Sequence, residues 1–157
     1  MSTTSPTSTD PVVPPVRMAI RDVAADTYRR LLALSGAVEL DSGLRDLINV
    51  RVSQINGCVY CLDTHSSEAR EHGERQARLD TLPAWREAPY FTARERAALA
   101  LTEAVTLVAS THVPDEAYDE AARWFDEQEL AQVLFAIIVM NSWNRVAIST
   151  RMAPATR

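Results

Sequence analysis

The chain has 157 residues, 46% of them hydrophobic, and a formal net charge of −5. That length is enough for one domain with a real core, and the acidic balance argues against nucleic acid or an anionic membrane surface as a partner. No apolar run reads as long enough to span a bilayer, and the start lacks the basic and apolar segments of a signal peptide, so a cytoplasmic setting is expected.

Residues 1–17 are rich in Ser, Thr and Pro, with four prolines among the first fifteen positions. That composition predicts a disordered tail, or at most a docked extended arm, ahead of a domain over residues 18–157. From about Asp22 a stripe of Ala24, Tyr28, Leu31, Leu32 and Ser35 predicts a helix that weakens at Gly36. Asp41 or Ser42 can cap a second helix, with Leu44, Leu47, Ile48, Val52 and Ile55 on its buried face. Asp46 and Arg51 lie beside that stripe. Each reads by default as a solvated helix charge, with Arg51 as an alternative partner for Asp46.

Asn56-Gly57 is a breaker, so a third helix should run over about residues 58–71 and end at His72-Gly73. His72 reads as a last-turn histidine near the negative end of that helix rather than as a ligand. A short helix over residues 75–79 leads into a loop around Pro83 and Pro89. Trp85 and Tyr90 there are expected to pack over the core, with a lid over the site as the alternative. Thr92-Ala93-Arg94-Glu95 is a capping box opening a long helix whose stripe is Ala97, Leu101, Ala104, Val105 and Val108. Pro114 fits a first helical position, followed by Tyr118, Ala121, Ala122 and Phe125 facing inward. Asp126 to Glu129 is another box-like start. The helix after it is apolar almost all round, so it should be central, with part of its surface facing another subunit. Asn141, Trp143, Asn144 and Arg145 follow; their polar groups need partners if buried, and they either order the site wall or join helices. No strand pattern, phosphate-binding glycine loop, dinucleotide fingerprint or nucleophilic triad competes, and the expected fold is all-α.

The chemistry concentrates at residues 54–65. Both cysteines are here, three apart, with a histidine four residues after the second. On a helix, Cys58, Cys61 and His65 fall at i, i+3 and i+7 and share one face. A helix start, a neighbouring basic group and Cys-x-x-Cys spacing each lower a thiol pKa from about 8.5. Two such thiols can attack an oxidant and resolve the product, and His65 can move protons near neutral pH. Zinc is the competing reading, but it needs Cys58, Cys61, His65 and His72 all on one helix, which cannot easily surround a metal. A purely structural bridge is also a poor reading, because so small a loop removes little chain entropy.

Ser53-Gln54-Ile55-Asn56-Gly57-Cys58-x-x-Cys61-x-x-x-His65 resembles the signature of the alkylhydroperoxidase D-like proteins of the carboxymuconolactone decarboxylase superfamily. The segments 79–86, 91–106 and 141–145 resemble later blocks of the same family, so the likeness spans about residues 18–152. It implies a helical homo-oligomer, a trimer or hexamer, that reduces hydroperoxides without metal, haem or flavin. Cys61 is implied as the peroxidatic thiol, Cys58 as the resolving thiol, and His65 as part of a proton relay. The relay carboxylate falls at Asp46, one methylene shorter than the family's glutamate. Tyr60 stands where the best-studied members have histidine. A lipoyl-bearing protein or a peroxiredoxin is implied as redox partner. Two other classes stay open: a thiol–disulfide oxidoreductase acting on a protein or lipoyl disulfide, and a non-catalytic oligomeric protein binding zinc or a small ligand.

Overall fold

The computed structural model describes residues 14–154. Among them the architecture is all-helical. The helices are α1 (Ile20–Val23), α2 (Ala25–Gly36), α3 (Ser42–Asn56), α4 (Val59–Glu71), α5 (Gln76–Thr81), α6 (Ala93–Thr106), α7 (Val108–Thr111), α8 (Asp115–Trp124) and α9 (Glu127–Thr150), with a 3-10 turn at Leu82–Ala84 after α5. Most of the predicted tail lies outside the described residues. Within the described residues the Arg17 N–H donates to the Thr150 carbonyl at 2.9 Å, which ties residue 17 to the end of α9.

Helix α3 is packed on two sides, and its sequence says why. Leu44, Ile48 and Val52 recur every four residues and join Val133, Ile137 and Met140 of α9 in one core, together with both cysteines. Leu47 and Val50 lie round the helix and join Leu79, Leu82, Trp85, Phe91 and Leu99 in a second core. Each such aliphatic side chain, fully buried, stabilises the fold by about 1.5–3 kcal/mol. Asp41 caps α3, accepting from the Leu44 N–H at 3.0 Å. The predicted capping boxes form at Thr92/Glu95 and Asp126/Glu129.

Some expectations shift. Helix α6 ends at Thr106, and the chain turns at Leu107, so Val108 is half-exposed instead of continuing the stripe. Pro114 is the residue before α8 rather than its first. Tyr118 is 45% exposed, because α8 is turned so that Ala121 and Phe125 carry its burial. Trp85 is buried as packing, and its indole N–H donates to Glu103 at 2.8 Å. Arg51 also donates to Glu103, at 2.7 Å, and so is not the partner of Asp46. Burial would push the Glu103 carboxyl up, but hydrogen bonds from Trp85, Arg86 and Arg51 hold it below its usual range. By length and composition alone α9 could cross a bilayer, contrary to the sequence reading. Here it packs on α3 and α6 with Leu130, Val133, Ala136, Ile137 and Met140 buried.

Candidate active site

The α3–α4 corner places the cysteines. Gly57 ends α3 with φ 67°, the left-handed conformation that glycine adopts without a Cβ penalty. The Cys58 N–H returns to the Ser53 carbonyl at 3.0 Å, and α4 begins at once. Cys58 is therefore the N-cap of α4, and its sulfur accepts from the Cys61 N–H at 3.4 Å. One turn on, the Cys61 sulfur lies 2.7 Å from that of Cys58, and the two share a hydrogen bond. Both cysteines are free thiols and buried.

The pair titrates as a unit, and its two protons differ. The Cys58 thiol is lowered to about 7, first by the hydrogen bond with Cys61 and then, against the cost of burial, by backbone N–H groups and the charge of His65. The remaining proton stays on Cys61, whose thiol is pushed well up by Cys58 and by burial; a hydrogen bond with Asn144 opposes the shift.

Around Cys61 opens a cavity of about 550 Å³ that Asp46, His65, Glu68 and His72 also line. All four predicted site residues thus lie in one region, but the relay is wired differently from the expectation. His65 Nδ1 meets Glu68 at 2.7 Å, whereas Asp46 meets His72 Nδ1, also at 2.7 Å. Asp46 is buried, not a solvated charge. Burial raises its pKa, partly offset by the His72 contact. Asp46 in turn raises the pKa of His72, while His65 holds the Glu68 carboxyl below its usual range. His72 is therefore more than a helix-end histidine. Glu68 escaped the sequence reading, although its i+3 spacing from His65 is a visible signal.

The wall behind the cysteines is a polar network. Asn144 donates to Ser53 Oγ at 3.1 Å and accepts from the Asn56 side chain at 2.9 Å. Asn56 also donates to Asn141 at 3.0 Å, and Asn141 donates to Thr106 at 3.1 Å. This pins the end of α3 to α9 and holds Asn144 against Cys61. Cys58, by contrast, lines a separate cavity of about 370 Å³ with Val59, Ile148 and Met152. Neither Trp85 nor Tyr90 lines either cavity, so they form no lid there. Among the described residues no group of three or more His, Cys, Asp or Glu side chains is arranged to hold a metal; His65 and His72 are each turned to a carboxylate.

A model of the carboxymuconolactone decarboxylase family matches residues 24–104, from α2 into α6, which include both cysteines, Asp46, His65, Glu68 and His72. The chain belongs to the carboxymuconolactone decarboxylase family. Among relatives in this family-wide likeness, the uncharacterized protein YdfG of Bacillus subtilis (strain 168) is 44% identical over 105 residues, covering 67% of this chain and 71% of its own. A solved structure from Agrobacterium tumefaciens superposes with a TM-score of 0.88 at 32% identity, covering 91% of this chain and all (100%) of that one. That protein, of unknown function, is named as a candidate antioxidant defence protein AhpD. An uncharacterized peroxidase-related protein from Silicibacter sp. TM1040 has a TM-score of 0.69 at 27% identity, covering 86% of this chain and 70% of its own. Within the carboxymuconolactone decarboxylase family the chain is thus alkylhydroperoxidase D-like.

Proposed function

We propose that the protein is a thiol-dependent peroxidase that reduces hydroperoxides through a Cys58–Cys61 dithiol/disulfide cycle. One observation carries this: Cys61 lines the cavity that gathers two histidine–carboxylate pairs, with the second sulfur 2.7 Å away. Cys61 Sγ attacks the terminal peroxide oxygen. The O–O bond breaks, an S–O bond forms, and the Cys61 proton passes through His65 to the departing alkoxide as alcohol. His65 suits this because Glu68 occupies Nδ1 and leaves Nε2 for proton exchange. Cys58, whose thiol is lowered to about 7, reacts as its thiolate. It attacks Cys61 Sγ, the S–O bond breaks, and hydroxide leaves as water after taking a proton. An external dithiol returns the pair to the reduced state and is itself oxidised; the family likeness points to a lipoyl-bearing protein or a peroxiredoxin. Asp46 and His72 stand one step further out, exchanging protons with solvent. Half-exposed Phe135, Ile138 and Ile148 on α9 favour the homo-oligomer expected from the family.

The test is single-cysteine chemistry. Cys58→Ser should leave a sulfenic acid at Cys61 that dimedone traps after one equivalent of cumene hydroperoxide, and Cys61→Ser should abolish peroxide consumption. Trapping on Cys58 instead would reverse the two roles. A second reading rests on the Cys58 pKa of about 7: an N-terminal thiolate of this kind also serves thiol–disulfide exchange. Fast exchange with a lipoyl or protein disulfide, alongside negligible peroxide turnover, would favour it.

A further inference from the structure

The larger cavity is far bigger than the smallest peroxide needs. Water takes roughly 30 Å³ in the liquid, and hydrogen peroxide is not much larger, whereas this space is about 550 Å³. Pockets of roughly 300–1,000 Å³ hold drug-sized organic ligands. Leu32, Val38, Leu40, Val139 and Trp143 give it apolar walls. Trp143 is fixed there by its indole N–H to Ser35 Oγ at 2.6 Å and by edge-on contact with Tyr28.

The thiol end of the lining is polar, with Asp46, His65, Glu68 and His72 in two histidine–carboxylate pairs, and Arg21 adds a positive charge that neither pair uses. Arg21 donates from Nε to the Tyr28 hydroxyl at 3.0 Å and from Nη2 to the Tyr60 hydroxyl at 2.8 Å, and its guanidinium sits over the Tyr28 ring. Exposed at the cavity mouth, it makes no ion pair among the described residues, whereas Arg45, the other arginine of the lining, spends Nη2 on the Ser35 carbonyl at 2.8 Å. A guanidinium has five N–H donors in a planar fork, so after two phenols it still presents its Nη1 hydrogens. The phenols aim the fork while leaving its charge uncompensated, and Tyr60 is the residue next to Cys61.

We propose that this cavity binds organic hydroperoxides that carry a carboxylate or comparable anionic group, with Arg21 holding the anion and the apolar walls the carbon chain. The substrate class rests on the peroxidase reading above; the binding site does not. The first experiment therefore uses an unreactive probe. Calorimetric titration of the reduced protein with decanoate and with decanol should give roughly tenfold tighter binding of the carboxylate, as one charge-assisted hydrogen-bonded pair provides. Arg21→Gln should erase that preference and leave decanol binding unchanged. Equal affinities, or equal loss of both probes in the variant, would overturn the proposal. In turnover, Arg21→Gln should raise KM roughly tenfold for a fatty-acid hydroperoxide, with kcat kept and cumene hydroperoxide unaffected. Arg21-dependent decanoate binding in a protein that consumes no hydroperoxide would sink the peroxidase reading and leave the anion site standing. Turnover without any carboxylate preference would do the reverse.

Discussion

Replacing Cys61 by alanine or by serine separates the hydrogen bond from everything else that acts on Cys58. In the native pair the largest influence lowering the Cys58 thiol to about 7 is its hydrogen bond with Cys61. Alanine removes that donor and leaves burial, which pushes the thiol up, opposed only by backbone N–H groups and His65. Return towards the unperturbed value of about 8.5 changes the thiolate fraction at pH 7 from about a half to about 3%, a difference of roughly 2 kcal/mol in the ionisation. Serine keeps an O–H at nearly the same place, so most of the lowering should survive. The assay is the rate of iodoacetamide labelling at Cys58 between pH 5 and 10, with the site mapped by mass spectrometry. Limited access to a buried sulfur scales the whole curve without moving its midpoint. The expected order of midpoints is wild type near 7, Cys61→Ser close to it, and Cys61→Ala at least one unit higher. Coincident midpoints for alanine and wild type would refute the reasoning, because the shift would then owe nothing to the second cysteine.

Two further outcomes follow from the same geometry. Asn144→Ala removes the hydrogen bonds with Ser53 and Asn56, leaving Ser53 Oγ only the Asn49 carbonyl and the Asn56 amide only Asn141, so it should cost about 1–3 kcal/mol and lower Tm by roughly 2–12 °C; calorimetry that finds no change would mean these two bonds do not stabilise the fold. His72 has its pKa raised by Asp46, so its stabilising contribution is fully present below the unfolded value near 6.5 and is lost as pH rises through the folded value. The gap in Tm between wild type and His72→Gln should therefore be widest near pH 6 and close towards pH 9, and a gap independent of pH would remove the ionic contact.

Local signals carried much of this fold. Both capping boxes, the Asp41 cap and the break at Gly57 are statements about three or four consecutive residues, and each formed where read. The Cys58–Cys61 approach is equally local, since it follows from one helical turn. What escaped is set by packing between elements. Asp46 and His72 are 26 residues apart and meet because α3 and α4 pack side by side. Arg51 had two readings from its own helix, and a third residue, Glu103 on α6, decided it. The asparagines of α9 were visible as polar groups in an apolar helix, but only the folded chain brings Asn144 to Cys61.

The two sulfurs touch each other yet border different cavities, Cys61 the larger and Cys58 the smaller. A dithiol arranged this way has two doors to one bond. If the proposed cycle runs, a reductant that reaches Cys58 from its own cavity attacks the disulfide without displacing an alcohol still lodged beside Cys61. Traffic through that cycle would then be ordered by which sulfur each visitor can reach, rather than by a queue at a single entrance.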